Sequence, residues 1–105
     1  MVTVDDVHSL AVEKGWWDVE RSFGDVISNI HAEISEAWED YRNGKDVNLI
    51  YYEDDKPCGI PIELADAVIR IMDLCGKHGI DLFKCIEIKH NYNKKRSYRH
   101  GNKVA

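Results

Sequence analysis

The sequence predicts an all-α protein of four helices. Three observations carry this expectation. Apolar residues recur every three to four positions along most of the chain, the spacing of a helix face. Glycines, prolines and short polar side chains stand where those stretches begin and end. No segment shows the apolar–polar alternation of a half-buried strand.

The first helix is expected over residues 2–14, with Val4, Val7, Leu10 and Ala11 on one face. Asp5 and Asp6 fall in its first turn, where the helix dipole favours acids. Gly15 ends it, and residues 16–21 connect to the next element. The second helix runs from Phe23 to Arg42, with Ser22 as its N-cap. Phe23, Val26, Ile27, Ile30, Ile34, Ala37, Trp38 and Tyr41 form its apolar stripe, and Asn29, Glu33, Glu36 and Asp40 share one flank of that stripe. Asn43-Gly44 stops it.

Residues 45–59 form a polar connector rich in turn residues, either a loop or a short helix followed by a loop. Pro61 suits the first position of a third helix reaching about Lys77. This helix is apolar in nearly every direction except along a narrow stripe of Glu63, Asp66, Arg70, Asp73 and Lys77. Such a helix is expected to be buried on most sides, with its stripe facing something inside an assembly. Asp81 caps a fourth helix from Leu82 to about Asn93, and residues 94–105 read as a basic, partly ordered tail.

At 105 residues the chain is expected to be one domain, 1–105, with a modest core that association with further copies would complete. No run approaches the roughly 20 apolar residues that cross a bilayer. No signal peptide is read at the N-terminus. Cys58, Cys75 and Cys85 are odd in number and lack CxxC spacing, which argues against a disulfide framework or a structural zinc site and favours the reducing cytoplasm. The net charge is −5, yet Lys89, Lys94, Lys95, Arg96, Arg99 and Lys103 crowd the last 17 residues without an acid. An acidic body with a basic end suits a metal ion at the one and an anion at the other; a solvated basic tail fits equally well.

Two acidic motifs carry the chemistry, Glu33-Ile-Ser-Glu36 and Glu63-Leu-Ala-Asp66. Residues three apart on a helix share a face, roughly 5–6 Å apart. Each motif therefore aims two carboxylates one way, and antiparallel packing of the two helices would bring four together. Four close carboxylates repel unless a cation neutralises them, and hard divalent ions take oxygen ligands. Either motif alone reads most simply as a solvated face. Glu63 is harder to dismiss, because its helix has little other polar surface; Arg70 and Lys77 are its stripe's alternative ion-pair partners. Di-iron bundles need two Glu-x-x-His motifs, and only Glu87-Ile-Lys-His90 is present. There is no glycine-rich phosphate loop.

In order and spacing, these motifs resemble the MazG-like all-α nucleotide pyrophosphohydrolases, whose relatives include dCTP and dUTP pyrophosphatases. His31-Ala-Glu33-Ile-Ser-Glu36 through Arg42 looks like the first family motif, and Ile62-Glu63-Leu-Ala-Asp66 through Asp73 the second. Lys89-His-Asn-Tyr-Asn93-Lys-Lys-Arg96, followed by His100-Gly101, resembles the family's C-terminal motif. The resemblance implies a four-helix bundle assembled as a dimer or tetramer. It implies magnesium, or manganese in its place, held by Glu33, Glu36, Glu63 and Asp66, and cleavage of a nucleoside triphosphate to the monophosphate and pyrophosphate. Lys89, Asn93 and Arg96 would then contact the substrate, and Trp17 is the candidate for stacking on its base. Arg70 departs from relatives that carry an aromatic there, and the connector 44–59 is longer than in compact relatives. Two other classes remain open: a non-catalytic bundle gripping nucleic acid with its basic tail, which the acidic body disfavours, and an inactive interaction protein with the same fold.

Overall fold

A computed structural model describes residues 1–98. Arg99, His100 and Gly101 at the end of the expected C-terminal motif, and Lys103 with the rest of the basic tail, lie outside the described residues. The chain order is α1 (Val4–Glu13), α2 (Phe23–Arg42), β1 (Tyr51–Glu53), β2 (Lys56–Cys58), α3 (Ile60–His78) and α4 (Leu82–Lys95).

Each helix start has a local cause. Thr3 caps α1 in a reciprocal capping box with Asp6, Ser22 accepts from the Asp25 amide at α2, and Asp81 accepts from the Lys84 amide at α4. No side chain caps α3; Gly59 stands at its cap and Pro61 in its first two positions. Gly79 closes α3 in the left-handed conformation.

The connector is neither a plain loop nor a helix. Tyr51, Tyr52 and Glu53 pair antiparallel with Cys58, Pro57 and Lys56. Asp54 sits at φ 55° in the tight turn between the strands, a conformation that aspartate tolerates better than most residues. Gly59, at φ 115°, joins the hairpin to α3, and a Cβ there would lie 2.1 Å from the Leu49 carbonyl oxygen. Only glycine fits that approach.

α3 is the central element, with α1 and α2 packed against it. Phe23 at the start of α2 meets His78 at the end of α3, while Glu36 further along α2 meets Glu63 at the start of α3. The two helices are therefore antiparallel. Val26, Ile30 and Leu74 form the core between them, with Trp17, Ile27 and Ile71 against it. α1 approaches α3 closely at Gly76, where an added Cβ would sit 2.5 Å from the His8 Cβ.

The expected bundle is realised in part. The molecule is mostly helical, but its packed body consists of α1, α2 and α3, and α4 buries no residue. The apolar stripe of α2 likewise splits. Val26, Ile30 and Ala37 are buried, whereas Phe23, Ile34, Trp38 and Tyr41 are exposed. α3, expected to be buried on most sides, exposes Leu64, Val68 and Ile69 in the single chain.

Candidate metal centre

The buried line of α2 runs Val26, Ile30, Glu33, Ala37, a spacing of four, three and four. That spacing puts Glu33 on the core face itself, where the sequence suggests the flank. With 8% of its surface exposed, Glu33 is the one buried charged side chain among the described residues. Glu36 follows one turn later at the rim. Across the interface, the first turn of α3 presents Glu63, half-buried. Carboxylate oxygens of Glu33, Glu36 and Glu63 all lie within 4.8 Å of one another.

Asp66 stands beside Glu33 but does not join this mutual contact. Arg70 lies next to both. One turn further along α3, the Arg70 guanidinium places Nη2 2.9 Å from Glu33 Oε1 and Nε 3.6 Å from Asp66 Oδ1. Of the four expected ligands three converge, and Asp66 stands beside them, next to the arginine.

The electrostatics follow from burial. Desolvation raises the Glu33 carboxyl to about 7, with neighbouring Asp66 adding to the rise and Arg70 opposing it. Burial also pushes Glu63 up, and Glu36 beside it pushes further. Like charges gathered out of water resist ionisation because they lack countercharge. One guanidinium faces four carboxylates here. The donor set is oxygen only, which matches a hard divalent ion and leaves room for the waters magnesium retains. Histidine and cysteine, the usual zinc ligands, are absent from the cluster.

A cleft of about 540 Å³ opens on the Asp66 side of the carboxylates, between α1, α2 and α3. Val7, Leu10, Val26 and Ile69 give it an apolar floor, and Asp66 and Arg70 form the wall shared with the acidic cluster.

The remaining site expectations fare differently. Lys89 and Asn93 lie on α4, Arg96 caps its end, and all three are exposed. Lys89 and Arg96 rest over the Tyr92 ring, 4.9 and 5.6 Å from its centre. No ion pair among the described residues joins them to the carboxylates. Trp17 is occupied elsewhere. Its Nε1 donates to both Asp73 oxygens at 2.9 and 3.1 Å, Arg21 covers its ring at 4.2 Å, and its body packs on the core. Lys77 also lies 5.3 Å from the ring centre, so a base stacking on Trp17 would share the ring with these two cations.

The sequence does not reveal the group around Asp73. His8 Nδ1 lies 2.7 Å from Asp73 Oδ1, and Arg21 stands 3.9 Å from the other oxygen. These contacts tie α1 and the segment 16–21 to α3. The available signal is Asp73 itself, an acid on a mostly apolar helix that needs partners from other elements.

Comparison with protein-family models, characterised proteins and solved structures finds no match to this chain.

Proposed function

We propose that this chain is a magnesium-dependent nucleotide pyrophosphohydrolase of the MazG-like kind, converting a nucleoside triphosphate to its monophosphate and pyrophosphate. The observation that carries the reading is the convergence of Glu33, Glu36 and Glu63 from two antiparallel helices beside an open cleft. Acids this close, and this reluctant to ionise, call for a cation. Glu33, Glu36 and Glu63 would hold magnesium, with manganese as substitute and Asp66 joining as the fourth ligand. The ion supplies charge neutralisation for a polyphosphate and lowers the pKa of bound water. The cleft, at about 540 Å³, has room for a nucleoside against its apolar floor.

The same proposal covers assembly. Ile34, Trp38 and Tyr41 on α2, Leu64 and Val68 on α3, and Phe83, Ile86 and Ile88 on α4 are exposed in the single chain. Their burial against further copies would make a homodimer or homotetramer. It would also give α4 a partner and carry Lys89, Asn93 and Arg96 toward a carboxylate centre. Three free cysteines and the lack, among the described residues, of a helix long and apolar enough to cross a membrane fit a cytoplasmic setting.

The test is pyrophosphate release from a panel of common and modified nucleoside triphosphates, with magnesium or manganese. Turnover should need the metal and fall at least about a hundredfold in Glu36→Gln and Asp66→Asn, beyond the usual loss on removing a supporting group. A folded protein that cleaves no nucleotide would turn attention to the exposed basic end of α4, where Lys94, Lys95 and Arg96 flank Tyr92 as in a nucleic-acid contact.

A further inference from the structure

Arg70 is the one cation inside the acidic centre. Its Nη2 is ion-paired with Glu33 at 2.9 Å, yet its buried Nε has no hydrogen-bond partner and lies 3.6 Å from Asp66 Oδ1. A guanidinium at home in a permanent ion pair uses its fork in full, with two short parallel bonds. This one is half-satisfied, and a buried donor left unpaired destabilises the arrangement. The same side chain also lines the adjoining cleft, with Asp66 on one side of it and Lys14, Arg21 and Asn29 elsewhere on the walls. Arg70 thus stands between two spaces, bonded into the first and bordering the second.

We propose that Arg70 is a positioning residue that couples the two: a divalent ion entering among Glu33, Glu36 and Glu63 displaces its guanidinium from Glu33, and the freed fork turns into the cleft to hold an oxyanion, the phosphate chain of the ligand. This rests on the metal reading above. The geometry sets the direction of exchange. A divalent ion bound through Glu33 competes with the Arg70 guanidinium for the charge of the same carboxylate. Three converging carboxylates offer the ion several bonds where Arg70 has one short bond. Once displaced, Arg70 keeps its charge beside an apolar floor, and planar bidentate binding of phosphate is what a guanidinium does best. Before the ion arrives, the arginine partly neutralises the acids and holds the two helices together. Metal and oxyanion then favour one another's binding through a single side chain, and such coupling is reciprocal.

The experiment is a magnesium titration of ¹⁵N-labelled full-length protein, followed through the arginine Nε–Hε signals and the backbone amides, in wild type and Arg70→Gln. The variant identifies the Arg70 signal by its loss. In wild type that signal should shift in step with the amides of Glu33 and Glu36. Arg70→Gln should bind magnesium about tenfold more tightly, because no internal cation must leave, within the usual range of coupling. With magnesium saturating, inorganic tripolyphosphate should bind the variant about tenfold more weakly. An Arg70 signal that stays put while Glu33 and Glu36 titrate overturns the proposal and leaves the metal centre standing; so does magnesium affinity in the variant equal to or below wild type. Absence of any saturable shift in either protein removes the metal centre and this inference together. Should Arg70→Gln fail to fold, Arg70→Lys identifies the signal in its place, and the wild-type titration alone decides.

Discussion

Glu33 concentrates the chemistry of the molecule in one side chain. Its folded carboxyl ionises near 7, whereas the unfolded one does so near 4.5. Between those values the folded protein keeps a proton that the unfolded chain has released. Each rise in pH across this window therefore favours the unfolded state. Without metal, thermal melts should show stability falling from about pH 5 to pH 7, and Glu63, shifted the same way, adds to the slope. Glu33→Gln should flatten this fall, and saturating magnesium should reverse it, since the metal selects the ionised form. Melts from pH 5 to 8 with chelator and with magnesium decide the matter. The acids themselves are legible in the sequence, because ExxE and ExxD spacing alone puts each pair on one face. The Arg70–Glu33 bond is not. It crosses between helices, and the register that aligns position 70 with position 33 comes from how Val26, Ile30 and Leu74 pack.

The helices were legible because their causes are local. Ser22 and Asp81 cap α2 and α4 where expected, and Gly79 closes α3. Ser22→Ala should cost about 1 kcal/mol, read as a fall of several degrees in melting temperature. The hairpin was illegible for the converse reason. Its strands are three residues each, one includes a proline, and Asp-Asp is a weak turn signal beside Asn-Gly. Its place is fixed by Gly59, a contact with the Leu49 backbone that no periodicity announces. Gly76 tests the packing of α1 on α3. Gly76→Ala gains helix propensity yet drives a methyl to 2.5 Å from the His8 Cβ. The clash should prevail, destabilising the protein by about 1–3 kcal/mol, the usual cost of overpacking. A variant as stable as wild type would show that α1 can move outward without loss.

The single chain is open for its length. Its radius of gyration is 16.5 Å, against about 13 Å for a compact domain of this size. The fourth helix buries no residue, and Trp38, stacked on Tyr41 at 5.8 Å, is exposed. Sedimentation should therefore give a multiple of 12.1 kDa, with a melting temperature that rises with protein concentration. Trp38→Asp should shift the mass downward; a wild-type monomer would limit the molecule to the three-helix body seen here. Assembly was suggested by chain length and by the nearly all-apolar α3, but which faces meet depends on a partner surface outside any one sequence pattern. The claim on which the rest depends is that three carboxylates from α2 and α3 form a divalent-metal centre. Anomalous diffraction from crystals grown with manganese tests it most directly. The account predicts a manganese peak within bonding distance of Glu33, Glu36 and Glu63; crystals at saturating manganese with no peak there, and Arg70 still bonded to Glu33, would contradict it.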